Sequence, residues 1–95
     1  MTFKSINPAT GVLRAEFSVH GEAEINRLIA QAWNGYRAWS VNSMEDRAAF
    51  LVRLAELLEQ RADQYAALIT GEMGKPVGEA RAEVVKAASG ARHPR

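Results

Sequence analysis

Residues 44–86 read MEDRAAFLVRLAELLEQRADQYAALITGEMGKPVGEARAEVVK, and the organisation of the chain follows from this stretch. It is helical in pattern, broken only at Arg61-Ala62-Asp63 and at Gly74-Lys75-Pro76. Phe50, Leu51, Leu54, Leu57 and Leu58 stand at i, i+1, i+4, i+7 and i+8, a spacing that places apolar groups on one helical face. Ser43 is the expected N-cap, with Glu45 and Asp46 in the first turn, where the helix dipole favours negative charge. Asp63 is expected to cap the next helix, Gln64 to Met73, whose apolar face is Tyr65, Ala66, Leu68, Ile69 and Met73. Gly74 suits the left-handed residue that closes a helix, and Pro76 suits the first position of the one after it. That fourth helix, Val77 to about His93, carries Ala80, Val84, Ala87, Ala88 and Ala91 on one side, a small-residue face that admits close approach.

Working back towards the N-terminus, Gly21 opens a first helix with the stripe Ile25, Leu28, Ile29, Ala32, Trp33, Tyr36 and then Trp39. Aromatic residues at helical spacing predict core rather than a ligand-stacking box. Gly35 inside this helix costs about 1 kcal/mol relative to alanine, and a closely packed neighbour is expected in compensation. Before it, Phe3–Ile6 and Val12–Val19 mostly alternate, and Asn7-Pro8-Ala9-Thr10-Gly11 supplies the turn. Proline presets φ, Asn7 can accept from the backbone ahead, and Gly11 can take a positive φ. The pattern predicts a β-hairpin, which is marginal alone and must lean on helices or join a sheet from elsewhere. As a fold class the chain is α+β: a β-hairpin plus four helices.

Composition bounds the function. The 95 residues allow one small domain, which buries only roughly 60–65% of its unfolded surface. Twelve basic and 11 acidic residues are interspersed, for a net charge of +1, so no charge imbalance favours nucleic acid or an anionic membrane as partner. No run reaches the roughly 18 apolar residues needed to span a bilayer, the N-terminus lacks the pattern of a secretory signal, and a cytoplasmic location is the default expectation. There is no cysteine, which removes disulfides, thiolate metal sites and a cysteine nucleophile from these residues. His20 and His93 stand far apart with no carboxylate at metal-ligand spacing. No serine lies in a Gly-x-Ser-x-Gly elbow, and the glycines form neither Gly-x-Gly-x-x-Gly nor a phosphate loop. Glu79, Glu83 and Lys86 read as a solvated, salt-bridged face. No catalytic, cofactor-binding or metal residue is assigned.

The residues nevertheless resemble a known family. Ser5-Ile6-Asn7-Pro8-Ala9-Thr10-Gly11, Ala32-Trp33 with Trp39, Arg47 with Leu51, Leu54-Ala55 and Leu58-Glu59-Gln60-Arg61, Glu72-Met73-Gly74-Lys75-Pro76, and Glu79-Ala80-Arg81-Ala82-Glu83-Val84 are similar, in register, to the N-terminal region of aldehyde dehydrogenases. The Glu-Met-Gly-Lys-Pro form is most similar to the succinate-semialdehyde dehydrogenase branch. The resemblance implies an α/β parent with a Rossmann-like NAD(P)-binding domain, of which residues 1–93 would be the N-terminal part. It implies chemistry in which a cysteine thiolate attacks the aldehyde, hydride passes to NAD or NADP, and a glutamate-activated water hydrolyses the thioester. None of those residues falls in this sequence, so the chain alone is expected to bind no cofactor and to be inactive. Many relatives hold a structural monovalent cation at positions that match Ser5, Ile6 and Glu72; Glu72 is read instead as an ordinary helix-end carboxylate, and no metal is assigned.

In the family the fourth helix continues where this sequence has Pro94-Arg95, a divergent end that suggests truncation or a reading-frame change. The expected partner is the remainder of an aldehyde dehydrogenase, or a second copy through the uncovered apolar faces. The alternative is a non-catalytic helical interaction module that binds a partner protein.

Overall fold

A computed structural model describes residues 2–93. Strands β1 (Thr2–Ile6) and β2 (Leu13–Ser18) precede helices α1 (Glu22–Ser40), α2 (Met44–Gln60), α3 (Ala62–Met73) and α4 (Val77–Arg92). The hairpin-plus-four-helices reading therefore holds. Pro94 and Arg95, on which the divergent end falls, lie outside the described residues.

The turn forms as its chemistry dictates. Asn7 Oδ1 accepts from the Ala9 N–H at 2.9 Å, Gly11 N donates to Asn7 O at 2.8 Å, and Gly11 takes φ 74°. β1 and β2 pair antiparallel, with Phe3 opposite Phe17 and Ser5 opposite Ala15, but Ile6 stands opposite Leu13. Arg14 is thus the extra residue of a β-bulge.

The helices close around small side chains. α4 packs along both α2 and α3. The buried residues are Ala55 of α2, Ala62 and Ala66 of α3, and Ala80, Val84 and Ala88 of α4. Alanine lets helix axes approach closely, so the fourth helix's small-residue face is the seam of a three-helix unit. On α2, Leu51, Leu57 and Leu58 are half-buried, whereas Phe50 and Leu54 are exposed. Two ion pairs cross between the helices. Arg92 donates in a fork to both oxygens of Glu59 (2.9 and 2.8 Å), and Arg81 Nε donates to Asp63 Oδ1 at 2.9 Å.

Several expectations are corrected. Asp63 does not cap α3: helix begins at Ala62, Arg61 occupies the cap position without a side-chain bond, and the Asp63 carboxylate is drawn to Arg81 instead. Pro76 stands one residue outside α4, at its N-cap, with its carbonyl accepting from Ala80 N. Glu83 pairs with Lys75 rather than with Lys86. Ser43 does cap α2, its hydroxyl accepting from Asp46 N at 3.1 Å, and Gly74 closes α3 at φ 76°.

α1 departs most from the expectation. It buries no residue, and Trp33 and Tyr36 are 59% and 60% exposed. The aromatic stripe is not core within this chain. A Cβ at Gly35 would meet nothing within 4 Å, so the expected compensating neighbour is missing from the described residues. Its C-terminal end alone is fastened aromatically, Trp39 meeting Phe50 edge-to-face with centroids 5.1 Å apart. The radius of gyration is accordingly 17.3 Å, against about 13 Å for a compact domain of about 100 residues.

Candidate functional site

The point where residues distant in sequence converge is the last turn of α3, against which the hairpin leans. Ser5 Oγ donates to Glu72 Oε1 at 3.1 Å. Arg14 Nη1 stands 3.7 Å from the same oxygen and makes a long contact of 3.5 Å with the Leu68 carbonyl. The Arg14 guanidinium lies across Gly71: a Cβ built there would fall 2.6 Å from Arg14 Cζ. Pro8 of the turn rests on Gly74, with its Cγ 3.1 Å from a Cβ built at that residue. Two glycines in one helix end thus provide the clearance for both approaches. Sequence reasoning singled out Ser5 and Glu72 but missed Arg14 and Gly71, since a lone arginine in a strand and a lone glycine in a helix carry no signal separately.

The Glu72 carboxylate, which the resemblance would place beside a cation, is engaged within the chain. Glu72 Oε1 is engaged by a hydroxyl and faces a guanidinium, whose charge opposes a second cation. Among the described residues no group of three or more His, Asp or Glu side chains gathers. The first turns of all four helices carry acidic residues, Glu22 and Glu24, Glu45 and Asp46, Asp63, and Glu79, which repel the pyrophosphate that a helix N-terminus otherwise attracts. A shallow recess lined by Ala49, Phe50 and Arg53 has a volume of about 230 Å³ and offers one charged group and no enclosure. No helix among the described residues is long and apolar enough to cross a membrane.

Charged pairs outside the joint are structural. The Arg92 fork holds the Glu59 carboxyl below its ordinary range, and Glu59 in turn raises Arg92. Arg27 does the same to Glu24 within α1, its guanidinium donating at 2.9 and 2.6 Å.

What the geometry does show is an N-terminal hairpin seated on a helix end, an alanine-seamed helical unit, and a long helix with its apolar face uncovered. The profile described as "Aldehyde dehydrogenase family" matches residues 1–93. The chain belongs to the aldehyde dehydrogenase family. An aldehyde dehydrogenase of Paenarthrobacter nicotinovorans is 38% identical over 93 residues, which are 98% of this chain and 20% of that protein. A succinate-semialdehyde dehydrogenase [NADP(+)] of Deinococcus radiodurans is 45% identical over 87 residues, 92% of this chain and 18% of that protein. The crystal structure of HpcC from Thermus thermophilus superposes with a TM-score of 0.88 at 32% identity, covering 97% of this chain and 18% of that one. The aldehyde dehydrogenase chain described here therefore spans about a fifth of the length of the curated relatives it matches, and its hairpin and helices reproduce a part of the parent fold.

Proposed function

We propose that this chain supplies a structural share of an NAD(P)-dependent aldehyde dehydrogenase of the succinate-semialdehyde type. Residues 1–93 would form the N-terminal part of its cofactor-binding domain, and the chain by itself would be inactive. One observation carries the reading: the α1 stripe and both hairpin phenylalanines, Phe3 63% and Phe17 55% exposed, are uncovered in a chain whose relatives continue for several times its length. Apolar area of this kind marks a surface that another part of a protein covers. The 45% identity to the Deinococcus radiodurans enzyme supports the substrate class, and the cysteine-free composition suits a reducing cytoplasm.

The test is a graft. The matching segment of the Deinococcus radiodurans enzyme is replaced by this chain, and NADP+ reduction with succinate semialdehyde is measured beside the 95-residue chain alone. The graft is expected to turn over and the chain alone is not, with no saturable heat on titration with NAD+ or NADP+. A folded, soluble graft without activity overturns the assignment, and turnover by the chain alone overturns its inactivity. The exposed α1 face also supports a second reading, a non-catalytic helical module that holds a partner protein. Recovery of the chain at fixed stoichiometry with a protein outside the family would favour it.

A further inference from the structure

We propose that Arg14 is a latch that holds the β-hairpin against the end of α3 in one fixed position, and that the hairpin loses that position without it. Four observations converge on this residue. Arg14 is the bulged residue of β2, opposite no partner, and a bulge re-aims the side chain of the strand that carries it. Its side chain is 28% exposed, the least of any member of the ion pairs among the described residues, although it stands on a two-stranded ribbon. It crosses Gly71, the one helical position where a Cβ would collide with it. Finally, the last turn of α3 has no basic residue of its own and contains the acidic Glu72, the wrong charge for a helix C-terminus. Arg14 arrives from β2 to supply the missing cation.

Among the described residues, the Ser5 hydroxyl on Glu72 and the Pro8 ring on Gly74 also join the hairpin to the end of α3. Close backbone packing joins β1 to β2 and α4 to its two neighbours, not the ribbon to the helices. Strand edges held at a fixed angle can add to a sheet at one place, whereas a freed ribbon cannot be aimed. The latch thus sets the direction in which the hairpin is presented. It rests on the hairpin's own geometry and stands apart from the assignment of substrate.

The chain contains no cysteine, so Ala9→Cys and Ala67→Cys introduce two unique spin-label sites, one on the turn and one on an exposed position of α3. The distance between them is measured by electron double resonance in the full chain. Expected is one narrow distance with Arg14 present and a distribution at least twofold broader in R14E and in the uncharged R14Q. Exchanging the charges in R14E/E72R should restore the narrow distance. Helical circular dichroism should stay unchanged throughout, since the α2–α4 seam does not include Arg14. A narrow distance in R14E or R14Q with helicity intact, or a double variant as broad as R14E, would overturn the latch.

Discussion

The α2–α4 unit and α1 are built from similar helical patterns, yet they end up in opposite circumstances. α4 closes on its neighbours through Ala80, Val84 and Ala88, all buried, while α1 carries the larger side chains Ile29, Trp33 and Tyr36 and buries none of them. Small residues can be satisfied by a neighbour already at hand, one helix along the chain. Large ones need a broad opposing surface, and a chain of this length does not supply it. An apolar stripe therefore states that a surface will be covered without stating by what.

The sharpest way to break the contrast is to overfill the seam. Ala88→Leu places three extra carbons at a position with 0% exposure and should cost about 1–3 kcal/mol in urea unfolding of the full chain; an unchanged midpoint would mean that the seam is loose. Next in size, Ser43→Ala removes the only side-chain N-cap bond among the described helices and should lower stability by about 1 kcal/mol, read in the same titration.

Gly35→Ala works in the other direction. With nothing within 4 Å of the new Cβ, it should raise the helicity of α1, by about 0.5–1 kcal/mol, in circular dichroism of this chain. The same substitution in a full-length relative would instead destabilise if a neighbour packs there.

Acid separates the two regions by a smaller effect. Glu59 has its pKa lowered from 4.5 by Arg92, so the pair's contribution is fully present above that value and is lost as pH falls below it through the lowered pKa. Arg92→Gln should flatten that limb of the pH–stability curve. Removing the Glu24–Arg27 pair should alter only the fraying of α1, since both partners lie on one helix. Smallest of all, Trp33→Ser should change the unfolding free energy by less than about 0.5 kcal/mol while reducing binding of a hydrophobic dye; a large loss of stability would show that α1 is packed after all.

Elements formed by neighbours in sequence were legible from the residues themselves. The Asn7–Gly11 turn, the Ser43 cap and the Gly74 terminus each follow from two or three adjacent side chains, and each forms as read. What failed depended on residues far apart. Asp63 reads as a cap until Arg81, 18 residues on, takes its carboxylate. Gly35 reads as a place of close packing, yet no packing partner stands there among the described residues. The joint at the end of α3 was half visible through Ser5 and Glu72; Arg14 remained hidden because its direction comes from a bulge, which is a property of pairing between strands rather than of either strand.

The alanine seam has a consequence for how the three helices find their alignment. Alanine has no rotamers to lose, so closing the seam costs almost no side-chain entropy, but it also supplies few features by which one alignment differs from another. Sliding α4 by one turn would bring Ala80 or Ala88 to the place of Val84, a difference of two methyl groups. Arg92 on Glu59 and Arg81 on Asp63 would both be broken by the same slide. In this unit apolar contact provides the cohesion, and the charges act as a vernier that fixes which of several nearly equivalent alignments is kept.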